Sequence, residues 1–529
     1  MQHDCEKLNR NLIERLAAGD ILRNRSRDSG GHDAIVEFID GKRIATSYRQ
    51  LNQRVNQLVR GLRTQGLSQG DRLALLCSNT AEFVTVAFAC YKAGMVLVPV
   101  NYLQTVEDVR YNLEHAEVKA VIYQETLSET ALQASAALDQ VQTRVVIGEP
   151  SEPTSITLES LISGQDDAEI EDIIIDDRDV ATLLYTSGTT SRPKGVETSH
   201  KSLYVTSLSS SLSFNYQRHH RQFSVLPLFH CAAWSFGMMT LQLGGALVLQ
   251  NQFNPQTTID LFQAEKISSA LLLPMMWRAL LKVPGIEQAE FPALTQATYG
   301  MAPMDANSLE QLRTAFGCNF DLGSGQSEFT PVTTVFYDGT ETEFSGANYW
   351  GIPTFTTQQA IIDDEGNEVA QGEQGEICWR GPQVMNGYLK NDQASKEARL
   401  FGWHHSSDLG MIDCHGQLVF VDRKKDMIKS GGENVASCKV EKALLNIPGV
   451  AQAAVFGVVH PHWIEAVCAS VILDPGSDLD EADIIEACKQ ELGGFQVPKR
   501  VFIEERLPCT ATGKIQKPHL RSQYKDLFV

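Results

Sequence analysis

The chain has 529 residues, a length that predicts several domain-sized units and excludes a single small bundle or barrel. Its 65 acidic and 45 basic residues give a formal net charge of −20, which argues against a general nucleic-acid binder or a protein adsorbed on anionic membranes. A content of 43% hydrophobic and 21% charged residues is typical of folded globular proteins. The 11 cysteines are scattered singly, which favours a reducing cytoplasmic location over a disulfide scaffold or a zinc site.

Strand-like and helix-like segments alternate along the first 350 residues, a pattern that predicts a layered α/β fold. In the first 180 residues the strand-like runs are LALLC, VLVPV, AVIY and TRVVIG, and helical patterns cover residues 48–65 and 106–115. A second set spans residues 181–348, with short apolar runs at 223–226, 246–249 and 270–273.

One stretch could imitate a membrane span, because residues 222–259 contain no Asp, Glu, Lys or Arg. Pro227, Gly244 and Pro255 interrupt it, so we interpret it as core segments of a large domain rather than a transmembrane helix. The N-terminal residues contain no apolar segment typical of a secretory signal.

The last third of the chain changes in character. Residues 351–420 are punctuated by glycine and rich in strand-like runs, which predicts a small β element. The charged segment 422–435 separates it from a final module, so we predict domains at 1–422 and 423–529. Within that module, residues 451–459 and 466–473 predict strands, and residues 479–492 predict an amphipathic helix with Asp480 as its N-cap.

The most informative segment is YTSGTTSRPKGV, residues 185–196, which follows an apolar run. Its small residues allow backbone N–H groups to approach an anion, its six hydroxyl side chains add donors, and Lys194 adds a positive charge. This composition suits a polyphosphate cradle, although a polar surface loop would have a similar sequence. The segment is not a Walker A motif, because Lys194 is followed by Gly195 rather than by Ser or Thr.

This loop and six other segments together resemble the adenylate-forming superfamily of acyl-CoA synthetases, peptide-synthetase adenylation domains and beetle luciferases. The six segments, which span nearly the whole chain, are KAGMVLVPVN (92–101), LPLFH (226–230), GSGQSE (323–328), GWHHSSD (402–408), DRKKDMIKSGGENV (422–435) and PCTATGKIQK (508–517). Within the superfamily, the chain is most similar to CoA ligases of fatty or other carboxylic acids.

The resemblance implies both a fold and an activity. The fold is α/β, with a large N-terminal domain of layered α/β subdomains plus a β element, a small mobile C-terminal α/β domain, and the active site between the two domains. The activity joins a carboxylic acid to AMP from Mg²⁺-bound ATP, releases pyrophosphate, and transfers the acyl group to CoA.

The same resemblance assigns roles to individual residues. Lys514, His230 and Glu328 are expected to be catalytic, with Glu328 also holding Mg²⁺, a cation that prefers oxygen ligands. Asp408 is expected to bind the ribose hydroxyls and Arg423 the ribose and phosphate. The full predicted ATP and AMP site consists of Thr186, Ser187, Gly188, Thr189, Thr190, Lys194, Gly323, Ser324, Gly325, Gln326, Ser327, Asp408 and Arg423.

Three further groups of residues follow from the resemblance. Lys425 is the expected hinge about which the C-terminal module rotates. The acyl pocket is expected to contain Phe229, Trp234, Gly300, Met301 and Ala302, and none of these would pair with a charge on the acid. The CoA tunnel is expected to contain Lys429, Ser430, Gly431 and Gly432, with its glycines allowing close backbone approach.

The sequence departs from the family pattern at three serines. Ser191 and Ser407 replace glycines, and a serine at either position would be strained if the backbone there requires a positive φ. Ser324 replaces an aromatic residue that stacks on adenine, and Tyr299 is a candidate to supply that contact instead.

Several alternatives remain open from the sequence. A stand-alone carrier protein acting in trans could replace CoA as acceptor, and a homodimer is compatible with the chain. An oxygen-dependent, luciferase-like oxidoreductase shares these motifs. A binding module without catalysis is the other alternative, although Lys514, Glu328, Asp408 and Arg423 are all retained. The identity and chain length of the acid are not encoded in any motif.

Overall fold

The computed structural model describes residues 2–150, 156–186, 192–509 and 515–528. The chain divides into two compact units. The larger unit contains Met1–Gly346, Trp350–Gln359 and Trp379–His404, and the smaller contains Ala347–Tyr349, Ala360–Cys378 and His405–Val529. The predicted α/β class, with a large N-terminal part and a small C-terminal part, is confirmed.

Five of the seven neighbouring strand pairs in the first sheet of the larger unit are parallel, and helices Ala81–Ala93 and Ser128–Ser135 each connect two of these parallel neighbours. Its strands are short and apolar, as expected for strands that are buried on both faces. In spatial order they are Gly387–Tyr388, Lys194–Ser199, Val180–Thr186, Val96–Pro99, Arg72–Leu76, Ala120–Gln124, Thr143–Ile147 and Ile156–Thr157.

A second sheet of the larger unit carries the elements that lead to the predicted turn at Glu328. Strands Gln296–Gly300 and Phe320–Gly325 run parallel, with Gly300 opposite Gly323. The strands in spatial order are Lys42–Ser47, Asp33–Ile39, Ala246–Leu249, Arg221–Ser224, Ser269–Leu272, Gln296–Gly300, Phe320–Gly325, Val332–Phe336 and Asn348–Pro353.

Helices of the larger unit begin at recognisable caps. Ser47 and Gln50 form a capping box at the start of one helix, and Thr105 accepts the N–H of Asp108 at the start of another. The helices are Gln2–Glu14, Ala18–Asp28, Tyr48–Thr64, Ala81–Ala93, Val106–His115, Ser128–Ser135, Leu158–Ile162, His200–Ser213, Cys231–Gln242, Pro255–Ala264, Pro274–Leu280, Ala306–Phe316 and Asp392–Glu397.

The stretch that could imitate a membrane span is divided among several elements, as predicted. It contains most of strand Arg221–Ser224, then helix Cys231–Gln242, strand Ala246–Leu249 and the start of helix Pro255–Ala264. Within the part of the chain that the structure describes, no helix is long and apolar enough to cross a bilayer. The strand expected at 223–226 lies two residues earlier, and beyond Ser224 the Leu226 carbonyl accepts a 3.0 Å hydrogen bond from Asn79 Nδ2 in place of a ladder hydrogen bond.

The smaller unit combines an antiparallel β element with an α/β module. The β element contains strand Leu418–Arg423 and most of strand His404–Ile412, in which Asp408 lies opposite Arg423, with most of Gln358–Ile362 and Gly375–Arg380 beside them. The module contains strands Ile428–Ser430, Glu433–Val435, Val450–His460, Ile464–Leu473 and Arg500–Ile503, and helices Ser437–Leu445, Glu481–Glu491 and Lys517–Gln523.

Two sequence predictions concern this unit. Asp480 is the N-cap of helix Glu481–Glu491, and its side chain accepts the N–H of Asp483 at 2.9 Å. The division by contacts assigns residues from His405 onward to the smaller unit, earlier than the predicted boundary at 422/423. The reason is that strand Leu418–Arg423 pairs with strand His404–Ile412. A hinge at Lys425 stays a prediction.

Candidate active site

The strands on either side of the predicted phosphate loop form an antiparallel hairpin. Strand Val180–Thr186 pairs with strand Lys194–Ser199, and Thr186 lies opposite Lys194. The hairpin therefore holds Thr186 and Lys194 together at the base of the loop. The predicted cradle residues Ser187, Gly188, Thr189 and Thr190 lie outside the described residues, as does Ser191.

Lys194, Tyr388 and Glu328 form a row of polar groups beside this hairpin. Lys194 Nζ lies 4.7 Å from the centroid of the Tyr388 ring, and the Tyr388 hydroxyl donates a 2.9 Å hydrogen bond to Glu328 Oε1. Burial and the nearby Glu328 carboxylate raise the pKa of Tyr388, so the phenol keeps its proton. Among the described residues, no hydrogen bond engages Glu328 Oε2, so this oxygen is available to a hard cation such as Mg²⁺.

The segment that carries Tyr388 also fixes the backbone of Glu328. Strand Gly387–Tyr388 pairs with strand Lys194–Ser199, which places Tyr388 opposite Val196. Met385 N donates a 2.8 Å hydrogen bond to the Glu328 carbonyl. The Glu328 carboxylate is therefore positioned through both its backbone and its side chain.

The glycine-rich turn before Glu328 has a tightly constrained backbone. Gly325 has a φ of +155°, and a Cβ atom there would lie 1.6 Å from the Pro331 carbonyl oxygen, so only glycine fits. The next two residues contact other side chains of the larger unit, since Gln326 Nε2 lies 2.6 Å from His404 Nε2 and Ser327 Oγ lies 3.1 Å from Cys231 Sγ. These contacts fix the turn in front of strand Val332–Phe336.

The two residues considered for adenine stacking differ in surroundings. Ser324 follows Gly323 at the end of strand Phe320–Gly325, and its carbonyl accepts a 3.2 Å hydrogen bond from Thr333 Oγ1. Tyr299 is only 4% exposed and packs in the core of the larger unit. Its ring is therefore not presented to a ligand in this structure.

His230 caps the helix Cys231–Gln242. Its Nδ1 accepts the N–H of Ala232 at 3.3 Å, which makes Nδ1 an acceptor and assigns the proton of the neutral ring to Nε2. The neighbouring residues Phe229 and Cys231 line an internal cavity. His230 therefore lies where that cavity meets the start of the helix.

The predicted acyl residues fall into two groups. Phe229 and Trp234 line a narrow apolar cavity of about 20 Å³, which in this structure has room for about one water molecule. Gly300, Met301 and Ala302 lie at the end of strand Gln296–Gly300 and do not line it. Met301 is 44% exposed and has a φ of +67°. The described lining is Phe83, Leu97, Pro99, Thr182, Leu184, Leu203, Thr206, Ser207, Leu228, Phe229, Cys231, Trp234, Ser235, Met238, Thr330 and Pro331.

In the smaller unit, Asp408 and Arg423 face each other across two paired strands. The Arg423 Nε atom lies 3.8 Å from Asp408 Oδ1, and the Arg423 side chain is 49% exposed. Ser407 has a φ of +62°, so the backbone strain expected for a serine at a glycine position is present. Its N–H donates to Glu376 Oε1 at 2.9 Å, and its carbonyl accepts from Lys424 N at 2.9 Å. These bonds hold the strained conformation.

The predicted hinge residue, Lys425, lies three positions after Asp422, whose carboxylate is held by two hydrogen bonds. Asp422 accepts hydrogen bonds of 2.5 Å from Ser437 N and 2.7 Å from Ser437 Oγ. The side chain of Lys425 reaches the surface, but the surrounding protein removes enough water to lower its pKa to about 8, and the nearby Arg423 adds to this effect.

The predicted CoA residues form the rim of an open pocket. Strands Ile428–Ser430 and Glu433–Val435 pair as a hairpin with Gly431 and Gly432 at its tip, where both glycines have positive φ. Lys499 Nζ lies 4.9 Å from the Trp463 ring centroid. The pocket has a volume of about 490 Å³ and is lined by Ser430, Gly431, Gly432, His462, Trp463, Ile464, Gly494, Phe495 and Lys499. Lys429, on the same strand, is exposed beside this rim.

Lys514 lies outside the described residues, but the residues on both sides of its segment are described. Cys509 pairs with Ile515, and Gln516 N donates a 2.7 Å hydrogen bond to the Pro508 carbonyl. Lys517 Nζ lies 2.8 Å from Glu441 Oε1 and 2.7 Å from Ser437 Oγ. Helix Ser437–Leu445 therefore anchors the chain three residues after Lys514.

Five residues that belong to these groups were missed in the sequence analysis. They are Tyr388, Trp463, Phe495, Lys499 and Lys517. The tyrosine in MNGYLK and the tryptophan in HPHWIE are the sequence signals that could have indicated Tyr388 and Trp463, since tyrosine and tryptophan combine an apolar ring with a polar group and are enriched at interfaces. For Phe495, Lys499 and Lys517 the sequence carries no such signal.

Comparison with known proteins decides what this arrangement represents. Residues 22–389 match the AMP-binding enzyme family, and residues 439–514 match the AMP-binding enzyme C-terminal domain. The chain belongs to the AMP-binding enzyme family.

Individual members of this family are similar over nearly the whole chain. A feruloyl-CoA synthase from an Amycolatopsis species is 34% identical over 485 residues, which cover 91% of this chain and 94% of that protein. A medium-chain-fatty-acid–CoA ligase from Ectopseudomonas oleovorans is 26% identical, with 98% of each chain covered. The crystal structure of ATP-bound MatB from Rhodopseudomonas palustris has a TM-score of 0.87 and 26% identity, and covers 98% of this chain and 100% of that chain.

These findings confirm the predicted superfamily and enzyme class. This AMP-binding enzyme is an AMP-forming acid–CoA ligase, with ATP and CoA as co-substrates. The roles of the individual side chains remain predictions, for which the geometry above gives the physical basis.

Proposed function

We propose that this ligase activates a fatty or aryl monocarboxylic acid whose chain or ring carries no charge. It forms the acyl-adenylate of that acid and transfers the acyl group to CoA. The observation that carries the acid class is the apolar cavity lined by Phe229 and Trp234, beside His230. No charged side chain belongs to the described lining, so a second carboxylate or an ammonium on the acyl group would be buried without a partner. The named acids of the similar ligases, ferulic and medium-chain fatty acids, fit this class.

In the first step, a carboxylate oxygen of the acid attacks the α-phosphorus of ATP, and the bond from that phosphorus to the bridging oxygen breaks to release pyrophosphate. The positive charge of Lys194 is suited to bind the negatively charged phosphates of ATP. Glu328 would hold Mg²⁺, whose charge offsets that of the phosphates. We assign Lys514 to stabilise the charge that develops between the carboxylate and the α-phosphate. Asp408 is suited to accept hydrogen bonds from the ribose hydroxyls.

In the second step, the CoA sulfur attacks the acyl carbon, the bond to AMP breaks, and the thiol proton is released. We assign CoA to the pocket rimmed by Gly431 and Gly432. Trp463 offers a flat apolar face for stacking on adenine, and Lys499 beside it offers a positive charge to a phosphate. A carrier protein acting in trans is the second candidate acceptor, since both acceptors present the same pantetheine thiol.

The test is pyrophosphate release from Mg·ATP with linear fatty acids of graded length, aryl acids and amino acids, each with and without CoA. Release that rises with CoA for fatty or aryl acids would support the proposal. Release that CoA does not stimulate would indicate a carrier protein as acceptor. Activation of amino acids alone would refute the proposed acid class, and no release with any acid would favour a module without catalysis.

The two half-reactions can be separated with Lys514→Ala. We expect this variant to lose adenylate formation by at least about 100-fold, because a preorganised charged donor is removed, but to retain most thioester formation from supplied acyl-adenylate. Lys525→Ala, at an exposed lysine further along the same segment, is the matched control and should keep both activities. Equal loss of both half-reactions in Lys514→Ala would contradict a role limited to the first step.

A further inference from the structure

Two hydroxyl groups are buried without partners at the wall of the apolar cavity. Thr206 belongs to helix His200–Ser213 and is 3% exposed, and Ser235 belongs to helix Cys231–Gln242 and is 6% exposed. Both residues line the cavity. Neither Thr206 Oγ1 nor Ser235 Oγ has a hydrogen-bond partner among the residues that the structure describes.

This lack of partners contrasts with three other hydroxyls on the same two helices. A helical Ser or Thr usually satisfies its hydroxyl by donating to the carbonyl four residues earlier. Ser211 donates in this way to Ser207 at 2.5 Å, Ser213 does so to Ser209, and Thr240 donates to the Phe236 carbonyl at 2.9 Å. Thr206 and Ser235 do not use this local partner, so both hydroxyls are buried without an acceptor among the described residues.

The other polar side chains around the cavity are paired within the protein. Trp234 Nε1 donates to the Tyr91 hydroxyl at 2.9 Å, and Thr182 Oγ1 lies 3.0 Å from the same hydroxyl. Ser207 Oγ donates to the Tyr204 carbonyl at 2.7 Å. The cavity wall thus combines an apolar surface with two unpaired hydroxyls, one from each of two neighbouring helices.

We propose that the acid carries a neutral hydrogen-bonding oxygen on its chain or ring, away from the carboxylate, and that Thr206 and Ser235 bind it. A hydroxyl, ether or carbonyl oxygen would suit either group, because a serine or threonine hydroxyl can donate or accept. A charged substituent would lack a counter-ion in this lining. An unsubstituted acid would leave both hydroxyls buried and unpaired, which is unfavourable. This inference rests on the proposed function, because it specifies the acid used at the same site.

The test compares kcat/KM for matched acids, measured as pyrophosphate release with Mg·ATP and CoA. Suitable pairs are 4-hydroxycinnamate with cinnamate, 4-methoxycinnamate with cinnamate, and 8-hydroxyoctanoate with octanoate. We expect at least one oxygenated acid to be preferred by about tenfold or more, which is about 1.4 kcal/mol. Thr206→Val and Ser235→Ala should each reduce that preference by about three- to tenfold.

Two control variants keep the test specific. Ser210 on helix His200–Ser213 is also buried and unpaired among the described residues, but it does not line the cavity. Ser210→Ala should therefore leave the preference unchanged. Thr206→Ser keeps the hydroxyl and should retain the preference even if the apolar change to Val disturbs packing.

The outcomes separate this inference from the proposed function. Turnover of fatty or aryl acids with no preference in any pair would overturn the role of the two hydroxyls and leave the ligase activity standing. A preference that persists unchanged in both Thr206→Val and Ser235→Ala would also overturn it. No turnover of any acid would refute the proposed function, and this assignment with it.

Discussion

Replacing Tyr388 by phenylalanine tests whether the phenol positions Glu328. The change removes the hydroxyl that donates to Glu328 Oε1 at 2.9 Å but keeps the ring that faces Lys194. A hydrogen bond to a charged group contributes about 1.5–3 kcal/mol. We expect the lower end, about 1.5 kcal/mol, because the bond from Met385 N to the Glu328 carbonyl remains. This corresponds to about a tenfold loss of kcat/KM for Mg·ATP.

The assay is the ATP dependence of pyrophosphate release at several Mg²⁺ concentrations, with saturating acid and CoA. If Tyr388 orients a Mg²⁺ ligand, the loss in Tyr388→Phe should be largest at low Mg²⁺ and smaller at high Mg²⁺. Tyr337→Phe is the matched control, because the Tyr337 hydroxyl donates at 2.7 Å to the Ser213 carbonyl instead of to a carboxylate.

An unchanged kcat/KM in Tyr388→Phe at every Mg²⁺ concentration would refute this reasoning. An equal loss in Tyr337→Phe would show a general effect on the larger unit. A loss that does not depend on Mg²⁺ would indicate that the phenol acts on ATP rather than through Glu328.

Three further predictions concern stability, measured by urea unfolding. Lys92→Met should cost about 3 kcal/mol, because Lys92 is 3% exposed and its Nζ lies 2.5 Å from Glu169 Oε1, so the change leaves a half-buried carboxylate short of a partner. Ser407→Gly should stabilise the protein by about 1 kcal/mol, because it relieves a φ of +62°. Burial lowers the pKa of His200 to about 4, so the unfolded chain takes up a proton before the folded one, and stability should fall by about 3 kcal/mol between pH 6.5 and pH 4 in the wild type but not in His200→Gln.

Each of these predictions has an outcome that contradicts it. Lys92→Met with wild-type stability would mean that Glu169 is held adequately by its other partners. Destabilisation by Ser407→Gly would show that the serine side chain contributes more than the strain costs. Parallel pH profiles for the wild type and His200→Gln would contradict a buried neutral imidazole at His200.

Segments with a strong local signal were predictable from the sequence. The helix predicted at 106–115 has the same bounds in the structure, because its apolar periodicity follows the Thr105 cap. Asp480 was likewise recognisable as an N-cap, because an amphipathic helical pattern follows it directly. The strand predicted at 223–226 was displaced by two residues, because an apolar run does not reveal that the distant Asn79 side chain binds the Leu226 carbonyl beyond the ladder.

The candidate site was less predictable, because it depends on pairings between distant residues. Tyr388 is 60 residues from Glu328 and 194 residues from Lys194, and only the register of a two-residue strand brings the three together. Met301, expected to line the acyl pocket, follows strand Gln296–Gly300 with a φ of +67° and is 44% exposed, so its place in an acyl pocket stays a prediction. Neither register nor turn direction is determined by local composition.

The short strand Gly387–Tyr388 has a consequence for solubility as well. It is the outermost strand of its sheet and covers the edge of strand Lys194–Ser199. An uncovered edge strand exposes unpaired N–H and C=O groups to neighbouring molecules and promotes aggregation, whereas an edge of two residues offers little surface for that. Changes that detach this strand should therefore cause self-association together with loss of activity, so inactive variants in this segment need a check of their aggregation state.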